Sequence, residues 1–285
     1  MPSRTLPPPA RYFLVRDTPL RMEAGLLRHG TDLGNGPADA LFFQLDDQLE
    51  RYRAAKRAIP VSRHALLARD AEERRIQAAA LDWLRATLAR EHPTLLLELG
   101  QDAAHAGLTA LVELVQEDLV VLRRLPDGGS AAIAVLVSSP SGWRPERIHG
   151  ASFGTIHGPV PDFAKHPQAE RSMVDAMVER GPYVRFVWTV SADDALDHHP
   201  EEGHRAPWRV DEPGFLRVER QTTVPLPGLG AAIFLIRVYL YAFTDLSAEQ
   251  RATLARALEA MPPHVAAYKG IADVTPVVLE VLHRA

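Results

Sequence analysis

A histidine in a proline-rich loop is the side chain of this sequence best suited to hold a metal. His157 is followed by Gly158-Pro159-Val160-Pro161, where the prolines fix the backbone and the glycine leaves room for a flat ligand. A rigid loop limits the entropy lost when an imidazole is aimed at a metal. The alternative is a loop histidine that caps a backbone carbonyl, and spacing alone favours it. His149 is the competing ligand within reach of the same loop.

Polar side chains interrupt two apolar segments that read as strands. Side chains alternate along a strand, so Arg217 and Glu219 share one face of their segment, and Arg237 and Tyr239 share one face of theirs. Charged groups in central strands are costly unless paired, so we predict one mixed face that unites these four residues in a polar pocket. Glu219 could bind an ammonium or move a proton, and Tyr239 could donate to metal-bound oxygen. The alternative is a buried structural ion-pair network.

A Ser-Pro-Ser-Gly turn precedes Trp143 and Arg144. The planar guanidinium of an arginine presents a charged fork that suits a carboxylate. Equally, Arg144 could lie on the surface while Trp143 packs on the edge of the sheet.

Two further patterns could carry chemistry, and we give both little weight. Gly150 to Gly154 matches the G-x-S-x-G nucleophile motif around Ser152, but that motif needs a strand before it and a helix after it. The loop from Asp193 to Pro213 contains His198, His199 and His204 with two glutamates, which could bind a divalent metal. A solvated loop with adventitious metal affinity is the interpretation we favour.

The composition excludes several classes of site. The 285 residues include no cysteine, which rules out disulfides, a cysteine nucleophile and thiolate-held metal centres. The net charge of −4 gives no reason to expect nucleic acid or an anionic membrane as a partner. We expect no targeting signal in the proline-rich start and no membrane span, and the missing disulfides fit a cytoplasmic location.

Periodicity and turn signals predict an α+β protein. We expect helices at Ala71–Glu91, Ala103–Gln116, Glu170–Glu179, Ala248–Met261 and Val274–His283. We expect strands at Asp118–Leu125, Ser130–Ser138, Tyr183–Ser191, Phe215–Val224 and Ala231–Phe243, with a tight turn at Pro225 to Gly228.

This order is a hairpin, a helical crossover and a three-strand meander, which is the element order of a PAS domain. We therefore predict a PAS-like five-stranded antiparallel sheet with a helical crossover, flanked by N- and C-terminal helices. The expected division is an N-terminal extension, 1–116, a ligand-binding core, 117–245, and C-terminal helices, 246–285, in one compact unit.

Four segments together resemble one protein family. They are SSPSGWRPERIHG with IHGPVPDF (138–150 and 156–163), GPYVRFVW (181–188), LRVERQTTVPLP with IFLIRVYL (216–227 and 233–240), and YKG (268–270). MEAGLLRHG (22–30) and FQLDDQLERYRAAK (43–56) add to the likeness. The chain is similar to the haem-binding subunit of heme-dependent oxidative N-demethylase along most of its length.

The resemblance implies haem in a PAS-like domain, with His157 as the axial ligand. It further implies a monooxygenase that removes a methyl group from a small secondary amine, with electrons from NADPH through a separate flavin and iron–sulfur reductase subunit. With the haem implied, the residues we expect to hold it or its propionates are Trp143, Arg144, Arg185, Trp188 and Arg220, and those we expect to act on the substrate are Arg217, Glu219, Arg237 and Tyr239.

Two departures from the family pattern affect the interpretation. Val187 stands where the motif usually has asparagine, and Pro225 where a basic residue is usual. The loss of the polar group at position 187 favours an alternative function, a PAS-like haem-binding sensor without catalysis. A cofactor-free hydrolase that uses Ser152 is the second alternative.

Overall fold

A computed structural model describes residues 11–16, 25–101, 105–161, 163 and 168–285. Within them, six strands form one antiparallel sheet in the order β1-β4-β5-β6-β2-β3. The strands are β1 Leu27–Arg28, β2 Asp118–Arg124, β3 Ser130–Leu136, β4 Tyr183–Ser191, β5 Phe215–Leu226 and β6 Ala231–Ala242. The α+β class is confirmed, and the sheet has six strands rather than five because the short β1 pairs with β4.

The helices lie before, between and after the strands. They are α1 Leu49–Ala58, α2 Ala71–Glu91, α3 Pro93–Leu97, α4 Leu108–Glu113, α5 Phe153–His157, α6 Ala169–Asp175, α7 Ala248–Glu259, α8 Pro263–Tyr268 and α9 Thr275–Arg284. A π-helical turn, Ala176–Arg180, continues α6. Of the helices described, none has the length and apolar character needed to cross a membrane.

The longest helix follows its sequence pattern closely. Asp70 caps the start of α2 by accepting a hydrogen bond from the Glu73 amide at 2.7 Å. Its predicted apolar stripe is buried, since Ile76, Leu84 and Leu88 have no exposed surface. By contrast, the helix predicted at Ala103–Gln116 is confined to α4, and the first two residues of the prediction, 103–104, lie outside the described residues.

The turn of the β5–β6 hairpin lies two residues later than predicted. β5 continues to Leu226, and residues 227–230 form the turn, where Gly228 and Gly230 have φ of +74° and +57°. Glycine adopts these left-handed conformations at little cost, so the glycines fix the position of the turn. Pro225 is tolerated inside β5 because β4 begins at Tyr183, opposite Thr223, so position 225 pairs only with β6.

The strand register divides the charged residues between two faces. Arg220 pairs with Arg237, and Val218 pairs with Tyr239, whereas Glu219 pairs with Val238. Directly paired residues share a face, so Arg237 and Tyr239 lie on the opposite face from Arg217 and Glu219. The predicted mixed face with all four residues is therefore wrong.

We call the face with Arg220, Arg237 and Tyr239 the closed face. Helices α2 and α4 cover one half of it, around Leu119, Val121, Ile233 and Leu235, and helices α7 to α9 cover the other half. Every side chain that β5 and β6 place on this face is buried.

The face with Arg217 and Glu219 is the open face. The crossover between β3 and β4 covers one end of it through α5, α6 and the π-helical turn. In the middle of the sheet, the open face retains partly accessible side chains, which are Arg185, Val187, Glu219, Gln221 and Phe234. Accessible side chains on central strands mark an opening between the sheet and the crossover, and we take this opening as the candidate site.

Candidate functional site

Helix α5 places His157 over the open face. Ser152 caps the helix by accepting a hydrogen bond from the Thr155 amide at 3.0 Å. Phe153 packs against Leu122 and Ala232, and the His157 imidazole stacks on the Phe153 ring with centroids 3.9 Å apart. The position of His157 is thus fixed by an anchored helix rather than by the loop prolines alone.

Among the residues that the structure describes, the hydrogen bonding of His157 leaves one ring nitrogen available. Its Nδ1 lies 2.9 Å from the Phe153 carbonyl, which can only accept, so Nδ1 carries the proton. Burial lowers the pKa of His157, and the positive charge of Arg185 lowers it further. A neutral imidazole held through Nδ1, with Nε2 as a free acceptor, is the form that ligates metals. The carbonyl-capping alternative and the ligand prediction are therefore compatible in this geometry.

The competing histidine lies beside the same crossover. His149 forms an isolated bridge with Ala132 of β3. Its Nε2 is buried and has no hydrogen-bond partner within the described part of the chain. His149 thus also offers a nitrogen without a partner among these residues.

Arg185 brings an uncommitted cation to the open face. Among the residues described, its buried Nε finds no hydrogen-bond partner. Burial lowers the pKa of Arg185, while the negative charge of Glu219 opposes that shift. A partly buried guanidinium with unused donors is suited to an anionic group such as a carboxylate.

Glu219 is the acid that the structure brings to this opening. Its Oε1 accepts from the Ser141 hydroxyl at 3.0 Å, and its Oε2 accepts from the Gln221 amide at 2.9 Å. Glu219 also acts on two residues of the YKG segment, since its charge contributes to raising the pKa of Tyr268 and opposes the lowering of the Lys269 pKa.

Strand alternation gave no signal for the proximity of Tyr268 and Lys269 to Glu219, because these two residues lie at the end of α8, outside the sheet. Burial is the main cause of both pKa shifts and lowers that of Lys269 to about 8. The Lys269 ammonium donates to the Trp188 carbonyl at the outer edge of β4 and lies 5.2 Å from the centroid of the Trp188 ring. In the sequence, the YKG motif (268–270) was the signal that pointed to this segment.

The two residues after the Ser-Pro-Ser-Gly turn have different surroundings. Trp143 packs with Ile148 and Ile156 against the open face, near Val120 and Ile236. Arg144 instead pairs with Glu201 of the β4–β5 loop. Trp143 therefore belongs to the opening, whereas Arg144 already has a carboxylate partner.

Three of the predicted site residues form a structural network on the closed face. Arg237 donates to the Asp46 carboxylate at 2.6 Å and to the Gln44 and Val238 carbonyls. Arg220 donates to the Leu41 and Phe42 carbonyls. The Tyr239 hydroxyl donates to the Gln44 side chain. These polar groups pin residues 41–46 to the sheet and do not face the opening, as the structural alternative had anticipated.

Two further predicted residues are also separated from the opening. Trp188 packs with Phe186 against the C-terminal helices on the closed face. Arg217 lies on the open face, but its donors go to Ser141 and to the carbonyls of Ser139, Ala195 and Leu196. Neither residue shares the opening with His157 as a free group.

The two low-weight patterns have structural explanations. Ser152 is the N-cap of α5, and no strand leads into it. The expectation of a solvated histidine loop is wrong for two members, because His198 and His199 are buried and bond to Asp193 and Glu146. His204 is exposed. Across the described residues, there is no group of three or more ligating side chains placed to hold a metal ion.

Comparison with known protein families gives a match over most of the chain. Residues 39–279 match the family described as "Haem-dependent oxidative N-demethylase, alpha subunit-like". No match was found among proteins with curated descriptions. The matched range contains the whole sheet except β1, all of the crossover and both sides of the opening. This chain belongs to the haem-dependent oxidative N-demethylase, alpha subunit-like family.

Proposed function

We propose that the chain binds haem between the crossover and the open face and oxidises a small secondary amine. The observation that carries this proposal is His157, a neutral imidazole with Nδ1 bonded to the Phe153 carbonyl and with no partner for Nε2 among the described residues. Axial ligation of haem iron by histidine uses one ring nitrogen, and a hydrogen bond on the other orients the ring.

The other residues of the opening fit a haem as well. Arg185 has a buried nitrogen without a partner among the described residues and would bind a propionate carboxylate. Trp143, Ile156 and Phe234 supply apolar surface for the macrocycle. The element order of hairpin, helical crossover and meander supports a PAS-like core at 117–245, with the ligand between sheet and crossover.

Haem, when bound, supplies the oxygen chemistry, and the protein supplies positioning and electrostatics. Glu219 is the residue that we assign to the substrate, because its carboxylate can accept an N–H of a small ammonium ion. The electrons would come from a separate NADPH-, flavin- and iron–sulfur-dependent reductase subunit, in line with the absence of cysteine and with the family's description as an alpha subunit.

Absorption spectroscopy tests the cofactor and its ligand together. We expect protein expressed with added haem precursor to show a Soret band that is lost in His157→Ala. The matched variant His149→Ala should keep the band, because it alters the competing imidazole of the same crossover. A wild-type protein without a Soret band contradicts the proposal, and a band lost only in His149→Ala moves the ligand to that residue.

A haem-binding sensor is the second candidate function. Val187 favours it, because β4 pairs this apolar side chain directly with Glu219 on the open face. Amine-dependent oxygen consumption with a suitable reductase separates the candidates, since a sensor binds haem without turnover. Restored turnover in Val187→Asn would show that position 187 decides between them.

A further inference from the structure

Glu219 lies between two arginines and pairs with neither. Arg217 is two residues away on the same face of β5, and Arg185 is a diagonal neighbour on β4. Within the described part of the chain, the hydrogen bonds of the Glu219 side chain go instead to the neutral groups of Ser141 and Gln221. The negative charge is therefore held in place without being cancelled by a direct ion pair.

The direction of the Ser141 hydrogen bond is set by Arg217. Arg217 is almost completely buried, and its Nε–H donates to the Ser141 oxygen at 2.8 Å. A hydroxyl has a single proton to give, and an oxygen that already accepts from a guanidinium is free to direct that proton elsewhere. The Ser141 proton thus points along the 3.0 Å contact to Oε1 of Glu219.

The backbone around Ser141 is fixed independently of its hydroxyl. Ser141 forms an isolated bridge with His198, and the Gly142 amide donates to the His198 carbonyl at 3.1 Å. Gly142 has a φ of +81°, which glycine adopts without strain and which closes the turn. The serine oxygen is therefore presented by a rigid turn, and its removal should leave the turn folded.

We propose that Ser141 is a positioning residue, which orients the Glu219 carboxylate toward the substrate ammonium. This inference rests on the function proposed above. Ser141 and Gln221 each hold one carboxylate oxygen, so the plane of the group is fixed and its remaining lone pairs are available to a cation. Preorganised acceptors bind an ammonium more tightly than a freely rotating carboxylate, because less freedom is lost on binding.

Ligand binding to the haem-loaded protein tests this role. The probes are dimethylammonium, which needs the carboxylate, and cyanide, which needs only the iron. We expect Ser141→Ala to weaken dimethylammonium about tenfold, as for one lost hydrogen bond to a charged group, and to leave cyanide affinity unchanged. Ser141→Thr keeps the hydroxyl and should restore most of the amine affinity.

The controls separate positioning from a general structural effect. Ser139→Ala removes a neighbouring hydroxyl whose oxygen lies 3.4 Å from the Ser138 hydroxyl oxygen and forms no hydrogen bond with any other described side chain. This variant should therefore leave the affinities for dimethylammonium and cyanide unchanged. Glu219→Gln should abolish amine binding. Wild-type amine affinity in Ser141→Ala, or equal weakening of amine and cyanide, overturns the role of Ser141 alone. A wild-type protein that binds no haem, or binds haem without binding the amine, overturns the proposed function and this inference together.

Discussion

The two faces of the sheet carry similar polar residues in opposite circumstances. On the closed face, Arg220 and Arg237 lie side by side, and their donors reach carbonyls and a carboxylate of residues 41–46. On the open face, as far as the described residues extend, Arg185 has an unused buried nitrogen and Glu219 has no ion pair. Arginines occur on both faces, so residue type does not decide their role. Whether an arginine serves stability or binding depends on the chain segment that covers it.

The largest expected effect is on stability and concerns a matched pair of arginines. Arg237→Met removes the buried partner of Asp46 and of two carbonyls, and should lower the free energy of unfolding by about 3–5 kcal/mol. Arg185→Met removes a guanidinium whose buried Nε has no hydrogen-bond partner among the described residues, and should change the free energy of unfolding by less than about 1 kcal/mol. Urea denaturation of the haem-free proteins measures both. Equal losses in the two variants would erase the distinction between the faces.

The next effect is on haem retention. Loss of a charge-assisted hydrogen bond to a propionate costs about 1.5–3 kcal/mol, so Arg185→Met should release haem at least about tenfold faster. Arg144→Met is the control, because Arg144 already pairs with Glu201, and its rate should match that of wild type. Transfer of haem to a scavenger protein, followed by absorbance, gives the rates. Faster release from Arg144→Met alone would assign the propionate to the turn instead.

The smallest effect is a pH dependence on the closed-face side. The His29 ring stacks on Phe42, and burial together with the charge of Arg220 lowers the pKa of His29 from 6.5 to about 4. Between these values the unfolded chain binds the proton and the folded chain does not. Stability is therefore complete above about pH 6.5 and falls as the pH drops toward 4, by about 1–2 kcal/mol after allowance for solvent screening.

His29→Phe preserves the stacking and removes the titrating group. Unfolding free energies measured at several pH values should then fall less steeply below pH 6.5 than in wild type. The slope should shrink and not vanish, because the pKa values of His64, His157 and His198 are also lowered by burial. An unchanged slope would mean that folding does not lower the pKa of His29.

Local patterns predicted most elements of this fold. Helix α2 and strand β4 have the predicted bounds, because their signals are complete within a single segment. The short helices α1, α3 and α8 were not predicted. They have ten, five and six residues, and segments of that length show too little hydrophobic periodicity to identify a helix. Strand β1 has only two residues and depends on its pairing with β4.

The site was predictable only where one segment contains the whole signal. Glu219 was singled out by the alternation in its own strand and His157 with the help of the family resemblance, and the structure places both on the open face. Alternation assigns faces within a strand, but the relative phase of two strands depends on their register, so the grouping of Arg217 with Arg237 failed. The partners of Arg237 come from residues 44–46, which have no periodic pattern that would link them to the sheet.

The unbroken pairing of β5 with β6, from Phe215 opposite Ala242 to Leu226 opposite Ala231, has a consequence for how this sequence can diverge. A slip of β6 by one residue against β5 would turn Arg237 and Tyr239 to the open face and Val238 beneath the helices. Such a slip would remove Arg237 from its contacts with residues 44–46 and would also change the lining of the opening. We therefore expect natural relatives to tolerate length changes in this turn only where the alternation of the two strands is kept.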